Sequence, residues 1–183
     1  MASIFSHGFV AIALGRYLGY SGSWWKLWAW SVLCSIIPDL DVISFALGIP
    51  YEHPWGHRGM THSLFFAVIL SICVVRVVFS MVPVGSRDWW KLCLHFFLVT
   101  ASHGLLDAMT NGGLGVAFFA PFDEARYFLP WTPIEVSPIG VSGFFSEWGL
   151  RVVISELIWI WAPVTAFFLV FVGWQRGGVP ARY

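Results

Sequence analysis

The chain has 183 residues, of which 58% are hydrophobic and 11% are charged, with 10 basic and 10 acidic residues. A soluble domain carries about 25% charged residues, and a chain of this size could not bury so much apolar surface. The composition therefore excludes a soluble globule and a disordered chain. The net charge of zero and the scattered basic residues argue against nucleic-acid binding. We predict an all-α, polytopic helical membrane protein that forms one domain over residues 1–183.

About five transmembrane or membrane-embedded helices are predicted from the apolar stretches. They cover residues 4–20, 24–37, 64–82, 89–109 and 150–173. The last three have about 19 to 24 residues, enough to cross a hydrocarbon core of roughly 30 Å. The first two are shorter and either cross with local thinning of the bilayer or pack as partly immersed helices. Thr61 or Ser63 is expected to cap the third helix, and Pro163 to kink the fifth.

The distribution of charge predicts how the chain lies in the membrane. If the stretches alternate in direction, the long connections, residues 38–63 and 110–149, share one side with the N-terminus. The other side then holds six basic residues and one acid, whereas the long-loop side holds three basic residues and nine acids. Because basic loops stay in the cytoplasm, we predict a multi-pass protein with the N-terminus out and the C-terminus in.

Four predicted helix ends on the long-loop side carry histidine or aspartate. The residues expected to bind metal are His7, Asp39, Asp41, His57, His62, His103 and Asp107. One such residue alone is usually a cap or an interfacial polar group. The full set favours a metal site, because ionisable groups at membrane depth are energetically expensive. Imidazole and carboxylate ligands suit a divalent transition metal, with zinc expected, as one or two ions.

The spacing of these residues indicates how they converge. His103 and Asp107 are four residues apart and share one helical face. Asp39 and Asp41 are two residues apart, so an extended turn would bring both to one centre, or one of them would bridge two metals. His57 is five residues before the next histidine, so a loop rather than one helical face must bring the two together.

These residues lie in segments that resemble a known family. The segments are HG at 7–8, PDLD at 38–41, GHRGMTHSL at 56–64 and SHGLLDAMT at 102–110. In order and spacing they are similar to the YdjM-like family of bacterial inner-membrane metal-dependent hydrolases, over most of the chain. The resemblance implies a hydrolase in the bacterial inner (cytoplasmic) membrane, with a site built from these histidines and aspartates on the extracytoplasmic side.

A fainter likeness is to secreted zinc-dependent phospholipase C and related nucleases, which are helical proteins with an early His, an Asp, a later His and a His-x-x-x-Asp pair. In this sequence His103 and Asp107 form that pair, but no histidine follows His103. Glu147 is the best substitute for the missing later ligands. Because the sequence offers fewer nitrogen ligands than those enzymes, one or two ions fit better than three. The other role of Glu147 is an acidic residue that favours a helix N-terminus, and both interpretations stay open.

Three further features have two interpretations each. Arg58 could clamp a phosphate bidentately, or pair with Glu52 or an interfacial lipid phosphate. Glu156 could face the bundle interior as a further site residue, but hydrogen bonding between helices is the favoured role. The aromatic, proline-rich segment 121–138 either covers the site as a lid suited to an acyl or isoprenoid tail, or is an interfacial loop with an aromatic anchor.

The main hypothesis is a metal-dependent, phosphoesterase- or phospholipase-like enzyme that acts on a lipid or lipid-linked phosphate ester among membrane lipids. The candidate catalytic residues are Asp39, Asp41, Arg58 and Glu147, with an aspartate not needed for coordination as general base. The alternative is a non-enzymatic membrane metal-binding or transport protein that uses the same cluster. A transporter needs polar residues along a path across the bilayer. Here only Arg76 and His95 lie deeper, where they could meet, and this favours an enzyme.

Overall fold

The computed structural model describes residues 1–16 and 22–177, and the regular structure of these residues is helical, without a named β-strand. The α-helices of this part of the chain are α1 (Ile4–Gly15), α2 (Trp24–Ile36), α3 (Ile43–Ala46), α4 (Leu64–Val78), α5 (Arg87–Ala108), α6 (Val141–Phe144), α7 (Glu147–Glu156) and α8 (Ala162–Gly177). Between them lie two 3₁₀ helices, Ile37–Val42 and Met60–His62, and a π-helical segment, Leu157–Trp161. The all-α prediction is confirmed.

Serine caps begin three of the longer helices. Ser3, Ser63 and Ser86 each accept a hydrogen bond from the backbone N–H three residues later, and α1, α4 and α5 begin directly after them. Of the two caps expected before α4, Ser63 is the one used. Thr61 instead donates its hydroxyl to Asp41 at 2.7 Å, so the residue considered as a cap belongs to the site.

The predicted stretches and the helices differ at several ends. The first stretch, residues 4–20, gives α1 up to Gly15, and its residues 17–20 lie outside the described part of the chain. The third stretch, residues 64–82, ends four residues early at Val78. The fifth is α7, the π-helical segment and α8 in succession. Proline has no N–H to donate to the carbonyl four residues before it, so Pro163 explains a widened turn at this point.

A single apolar core holds α1, α2, α4 and α5 together. Its buried members are Ala11, Leu27, Cys34, Val74, Val75, Phe79, Trp89, Leu92, Cys93, Phe96 and Val99. α4 packs against α5, α1 against α2, and α5 against both α1 and α2. This packing brings the beginnings of α1 and α4 to the same end of the bundle as the ends of α2 and α5.

Glu156 fastens α7 to the start of α1. Its carboxylate is buried and accepts hydrogen bonds from the Ser3 backbone N–H, from the Ser3 hydroxyl at 2.5 Å and from the Ser6 hydroxyl at 2.7 Å. The indole of Trp161 donates to the Ser6 hydroxyl at 2.9 Å. The expected hydrogen-bonding role of Glu156 between helices is confirmed.

His95 has a partner other than the one considered from the sequence. Its Nε2 lies 2.7 Å from the hydroxyl of Ser31 on α2, and the ring is buried. The side chain of Arg76 is exposed on α4. The contact between Arg76 and His95 that the sequence allowed is therefore replaced by a contact of His95 with α2.

Among the residues that the structure describes, two helical segments are long and apolar enough to cross a membrane, Trp24–Ala46 and Glu147–Val172. α1 and α4 are apolar but have 12 and 15 residues, or about 18 and 22 Å of helix against a hydrocarbon core of roughly 30 Å. α5 has 22 residues but carries polar side chains toward both ends. The number of about five spans is therefore not confirmed and stays a prediction.

Candidate metal centre

The predicted histidines and aspartates gather at one end of the bundle. α1 supplies one of them, the 3₁₀ helix after α2 two, the connection before α4 two, and the last turns of α5 two. These residues are His7, Asp39, Asp41, His57, His62, His103 and Asp107, and each is buried. The structure therefore brings the residues from the four predicted helix ends together, as the sequence predicted.

Four of the seven residues surround one point. The Nε2 atoms of His62 and His103 are 3.0 Å apart. The Oδ1 atom of Asp39 lies 3.3 Å from Nε2 of His103 and 3.6 Å from that of His62. The Oδ2 atom of Asp107 lies 3.5 Å from Nε2 of His62. One ligand atom from each of the four lies within 4.8 Å of the others, a spacing from which all four could reach a single ion.

Neighbouring groups fix which ring nitrogen faces that point. Nδ1 of His103 is 2.7 Å from the backbone carbonyl of Ser35, which can only accept, so this nitrogen carries the proton. Nδ1 of His62 lies 3.1 Å from the Asp41 carboxylate. Both rings therefore direct Nε2 toward the other ligands. An outer carboxylate or carbonyl that holds a metal-binding imidazole in this way is the usual support of such a ligand.

Two buried carboxylate oxygens give a second indication that the group holds a divalent metal. The oxygens that complete the group, Oδ1 of Asp39 and Oδ2 of Asp107, are buried without a hydrogen-bond partner among the described residues. Oδ2 of Asp107 has the Arg58 guanidinium at 3.2 Å, whereas Oδ1 of Asp39 faces the imidazoles of His62 and His103. Burying a carboxylate oxygen without a hydrogen bond is costly, and a bound cation would lower that cost. Two carboxylates and two imidazoles match the charge and the ligand types that zinc takes.

Asp41 is engaged by protein donors rather than left open. Its carboxylate lies 2.6 Å from Nδ1 of His57 and accepts from the Arg58 backbone N–H at 3.0 Å and from the Thr61 hydroxyl at 2.7 Å. Together with Asp39, His57 and His62 it forms a second group that could hold an ion. The saturated carboxylate supports an orienting role for Asp41, and the expectation of one or two ions stays open.

His7 lies beside the four-residue group. Its ring stacks on that of His103, with the centroids 3.8 Å apart and the planes inclined by 17°. Its Nε2 is 3.5 Å from Oδ1 of Asp107, and neither ring nitrogen has a hydrogen-bond partner among the described residues. The structure thus brings His7 to the cluster, but as a neighbour of Asp107 and His103 rather than as one of the four.

Arg58 lies inside the protein rather than at an open face. Its guanidinium is fully buried, with Nε 3.2 Å from Oδ2 of Asp107. Nη1 donates to the carbonyl of Gly112 at 2.9 Å and Nη2 to the hydroxyl of Thr110 at 3.0 Å. The considered pairing with Glu52 is not seen: the carboxylate beside Arg58 is Asp107. A positioning role for Arg58, acting through Asp107, follows from these contacts.

Glu147 is not brought into the cluster. It is exposed in the first turn of α7, directly after the N-cap Ser146, and it belongs to neither group of potential ligands. This position matches the second of its two interpretations, an acidic residue at a helix N-terminus.

Sequence patterns did not reveal the roles of several residues that support the site. The Ser35 carbonyl is a backbone group without a sequence signature. Arg126, from the segment considered as a lid, donates to the carbonyls of His57 and Tyr51 at 2.9 and 2.8 Å, and so holds the loop that carries His57. The hydroxyl of Thr61 had a usable signal, since it lies within the His-Arg-Gly-Met-Thr-His segment.

The His62 ring is strongly affected by its carboxylate neighbours. Burial by itself would lower the pKa of the imidazole, but the contacts with Asp107, Asp39 and Asp41 outweigh burial and hold the pKa well above its usual range. Without metal, a proton on His62 therefore partly balances the carboxylates.

We expect metal affinity to rise with pH. A bound ion needs the Nε2 lone pair, so binding must displace the proton from His62, and this becomes easier as the pH rises through the raised pKa. The dissociation constant of zinc, measured by competition with a chelator, is expected to fall by up to about tenfold per pH unit between roughly pH 6 and 8. Calorimetry in buffers of different ionisation enthalpy should show proton release. A pH-independent affinity without proton release would contradict this role of His62.

Comparisons with known proteins agree with the membrane prediction. The family model of the YdjM inner membrane proteins matches residues 1–179. The inner membrane protein YbcI of Escherichia coli (strain K12) is 35% identical over 168 residues, which are 89% of this chain and 92% of that protein. No solved structure matches the chain. The family resemblance and the inner-membrane location predicted from the sequence are confirmed, while these names specify no reaction.

Proposed function

This chain belongs to the YdjM inner membrane protein family, and from that premise we propose that it is a metal-dependent hydrolase with a single zinc ion. The observation that carries the proposal is the pair of buried carboxylate oxygens, Oδ1 of Asp39 and Oδ2 of Asp107, which accept no hydrogen bond among the described residues and lie beside the facing Nε2 atoms of His62 and His103. Zinc held by these four side chains would lower the pKa of water and polarise the bond to be cleaved.

The remaining residues support this chemistry in distinct ways. Arg58 holds Asp107 in place through the contact of its Nε with Oδ2. His57 and Asp41 form a hydrogen-bonded pair at 2.6 Å, in which the carboxylate fixes the orientation of the ring. The Nε2 atom of His57 is then the group that can accept or deliver a proton during hydrolysis.

A phosphate ester of a lipid or lipid-linked molecule is the substrate class that we propose. The buried cation of Arg58 lies beside the ligand group and favours an anionic substrate. The charge distribution of the sequence supports a site on the extracytoplasmic side, with the N-terminus out and the C-terminus in. The polar cluster at one end of the bundle favours an enzyme over a transporter, which would need a path across the bilayer.

We expect zinc-dependent turnover of lipid phosphates by the purified full-length chain in phosphatidylcholine nanodiscs. The assay would screen phosphatidic acid, isoprenyl phosphates and phosphodiester lipids for release of phosphate or of a headgroup. Treatment with a chelator is expected to lower the rate at least about tenfold, and one equivalent of zinc to restore it. Elemental analysis would give the zinc content of each sample.

Two results would count against this function. Bound zinc without turnover of any ester, together with metal flux in sealed vesicles, would favour a metal transporter. Turnover that survives complete removal of metal would contradict a metal-dependent reaction.

A further inference from the structure

A pocket of about 290 Å³ lies next to the ligand cluster. His57 and Arg58 are among its lining residues and are buried, whereas Ile139 and Trp148, which also line it, are 56% and 40% exposed. The pocket therefore leads from the protein surface to residues inside the site. Its volume is close to the lower end of the range for small-molecule sites.

The inner part of the pocket is polar and borders the cluster. Nδ1 of His57 is 2.6 Å from Asp41, and Nε of Arg58 is 3.2 Å from Asp107. Each Nη atom of Arg58 carries two N–H groups, of which one donates to Gly112 or Thr110. The two side chains that border this end, an imidazole and a guanidinium, both carry N–H groups, so a phosphate is the group that suits this end of the pocket.

The outer part of the pocket is apolar. Val136, Pro138, Ile139 and the indole of Trp148 line it. The indole N–H donates to the Val136 carbonyl at 2.8 Å, which satisfies the polar end of Trp148 and leaves its ring surface for apolar contact. Val136 and Pro138 come from the end of the segment considered as a lid, so that segment supplies part of the wall.

We propose that this pocket binds an amphiphilic lipid phosphate, with the phosphate against His57 and Arg58 and the first part of the hydrocarbon chain against Ile139 and Trp148. This assignment rests on the proposed function and specifies how its substrate enters. A cationic inner end and an apolar outer end complement an anionic headgroup and its chain. An inner membrane protein meets such molecules in the lipid that surrounds it.

A larger cavity, of about 490 Å³, lies between α1, α2 and α8, but it does not include the cluster. Phe9, Trp28 and Phe168 are among its lining residues, and none of the seven predicted ligands lines it. Its size alone therefore does not make it the substrate site, whereas the smaller pocket contains two residues that contact the cluster carboxylates.

Binding of alkylphosphonates tests the assignment without a chemical step, because their C–P bond resists hydrolysis. Affinities of the butyl, hexyl and octyl compounds would be measured for the zinc-loaded full-length chain in phosphatidylcholine nanodiscs. Each added methylene that enters the pocket is expected to raise the affinity by up to about fourfold. Ile139→Trp would fill the outer part of the pocket, and Ile139→Ser would make it polar. In both variants we expect the gain in affinity per added pair of methylenes to be at least about threefold smaller than in the wild type.

Ile158 provides a matched control, because it is 53% exposed and lies away from this pocket. Ile158→Trp and Ile158→Ser are expected to keep the chain-length dependence of the wild type, and partitioning into the bilayer is common to all samples. Equal dependence in all five proteins, each with its zinc retained, would overturn the pocket assignment while zinc-dependent hydrolysis stands. If only the Ile139 variants lose chain-length dependence and no ester is hydrolysed, the pocket binds lipid but the protein is not a hydrolase.

Discussion

Replacing His103 by alanine is expected to remove zinc from the purified protein and, with it, all zinc-dependent turnover. His103 supplies one of four ligand atoms, and its Nε2 is 3.0 Å from that of His62 and 3.3 Å from Asp39. Loss of an outer partner of a metal ligand lowers affinity about 10- to 100-fold, and loss of the ligand itself should cost more. Elemental analysis is expected to show about one zinc per chain in the wild type and background in the variant.

His95→Ala is the matched control for that experiment. His95 is also a buried histidine of α5, eight residues earlier, but its ring contacts Ser31 and lies outside the ligand groups. This variant should lose a buried hydrogen bond and keep its zinc. Equal zinc content in the two variants would show that the four-residue group is not the metal site, and loss of zinc in both would indicate that folding rather than ligation was changed.

The sequence predicted the helices better than it predicted their ends. Apolar runs and serine caps are local signals, so the starts of α4 and α5 lie within two residues of the predicted ones. The second stretch, residues 24–37, ends close to its predicted limit because a 3₁₀ helix, Ile37–Val42, follows α2 directly with Pro38 in its first turn. The early end of α4 at Val78 has no such signal, since three of the four residues that follow, Phe79, Met81 and Val82, are apolar.

The sequence predicted which residues form the cluster, because histidine and aspartate stand out in a chain with few charges. It did not predict the role of each residue. Whether Asp41 binds metal or orients His57 depends on the path of residues 47–63, where Arg58 has a positive φ of 61°. A left-handed backbone is uncommon for arginine, and the sequence gives no sign of it. Likewise, the pairing of Arg58 with Asp107 joins residues 49 positions apart, which no local pattern specifies.

We expect Arg58→Met to destabilise the metal-free protein by about 3–5 kcal/mol, because it removes the guanidinium from the buried Asp107 carboxylate. The melting temperature of the metal-free chain in detergent should fall by roughly 6–20 °C. The reason is the lost ion pair rather than lost packing, since methionine retains much of the apolar stem. A second change that removes the charge should therefore recover part of the loss.

The double variant Arg58→Met, Asp107→Asn is expected to be more stable than the sum of the two single changes by at least about 1 kcal/mol. Arg126→Met combined with Asp107→Asn should be additive, because Arg126 donates to the carbonyls of Tyr51 and His57 instead of to Asp107. Suppose that Arg58→Met and Asp107→Asn are also additive, and that Arg58→Met abolishes lipid phosphate binding without lowering stability. Arg58 would then bind the substrate without positioning Asp107. Coupling between Arg58 and Asp107 would instead mean that the same guanidinium that borders the pocket also holds a metal ligand in place.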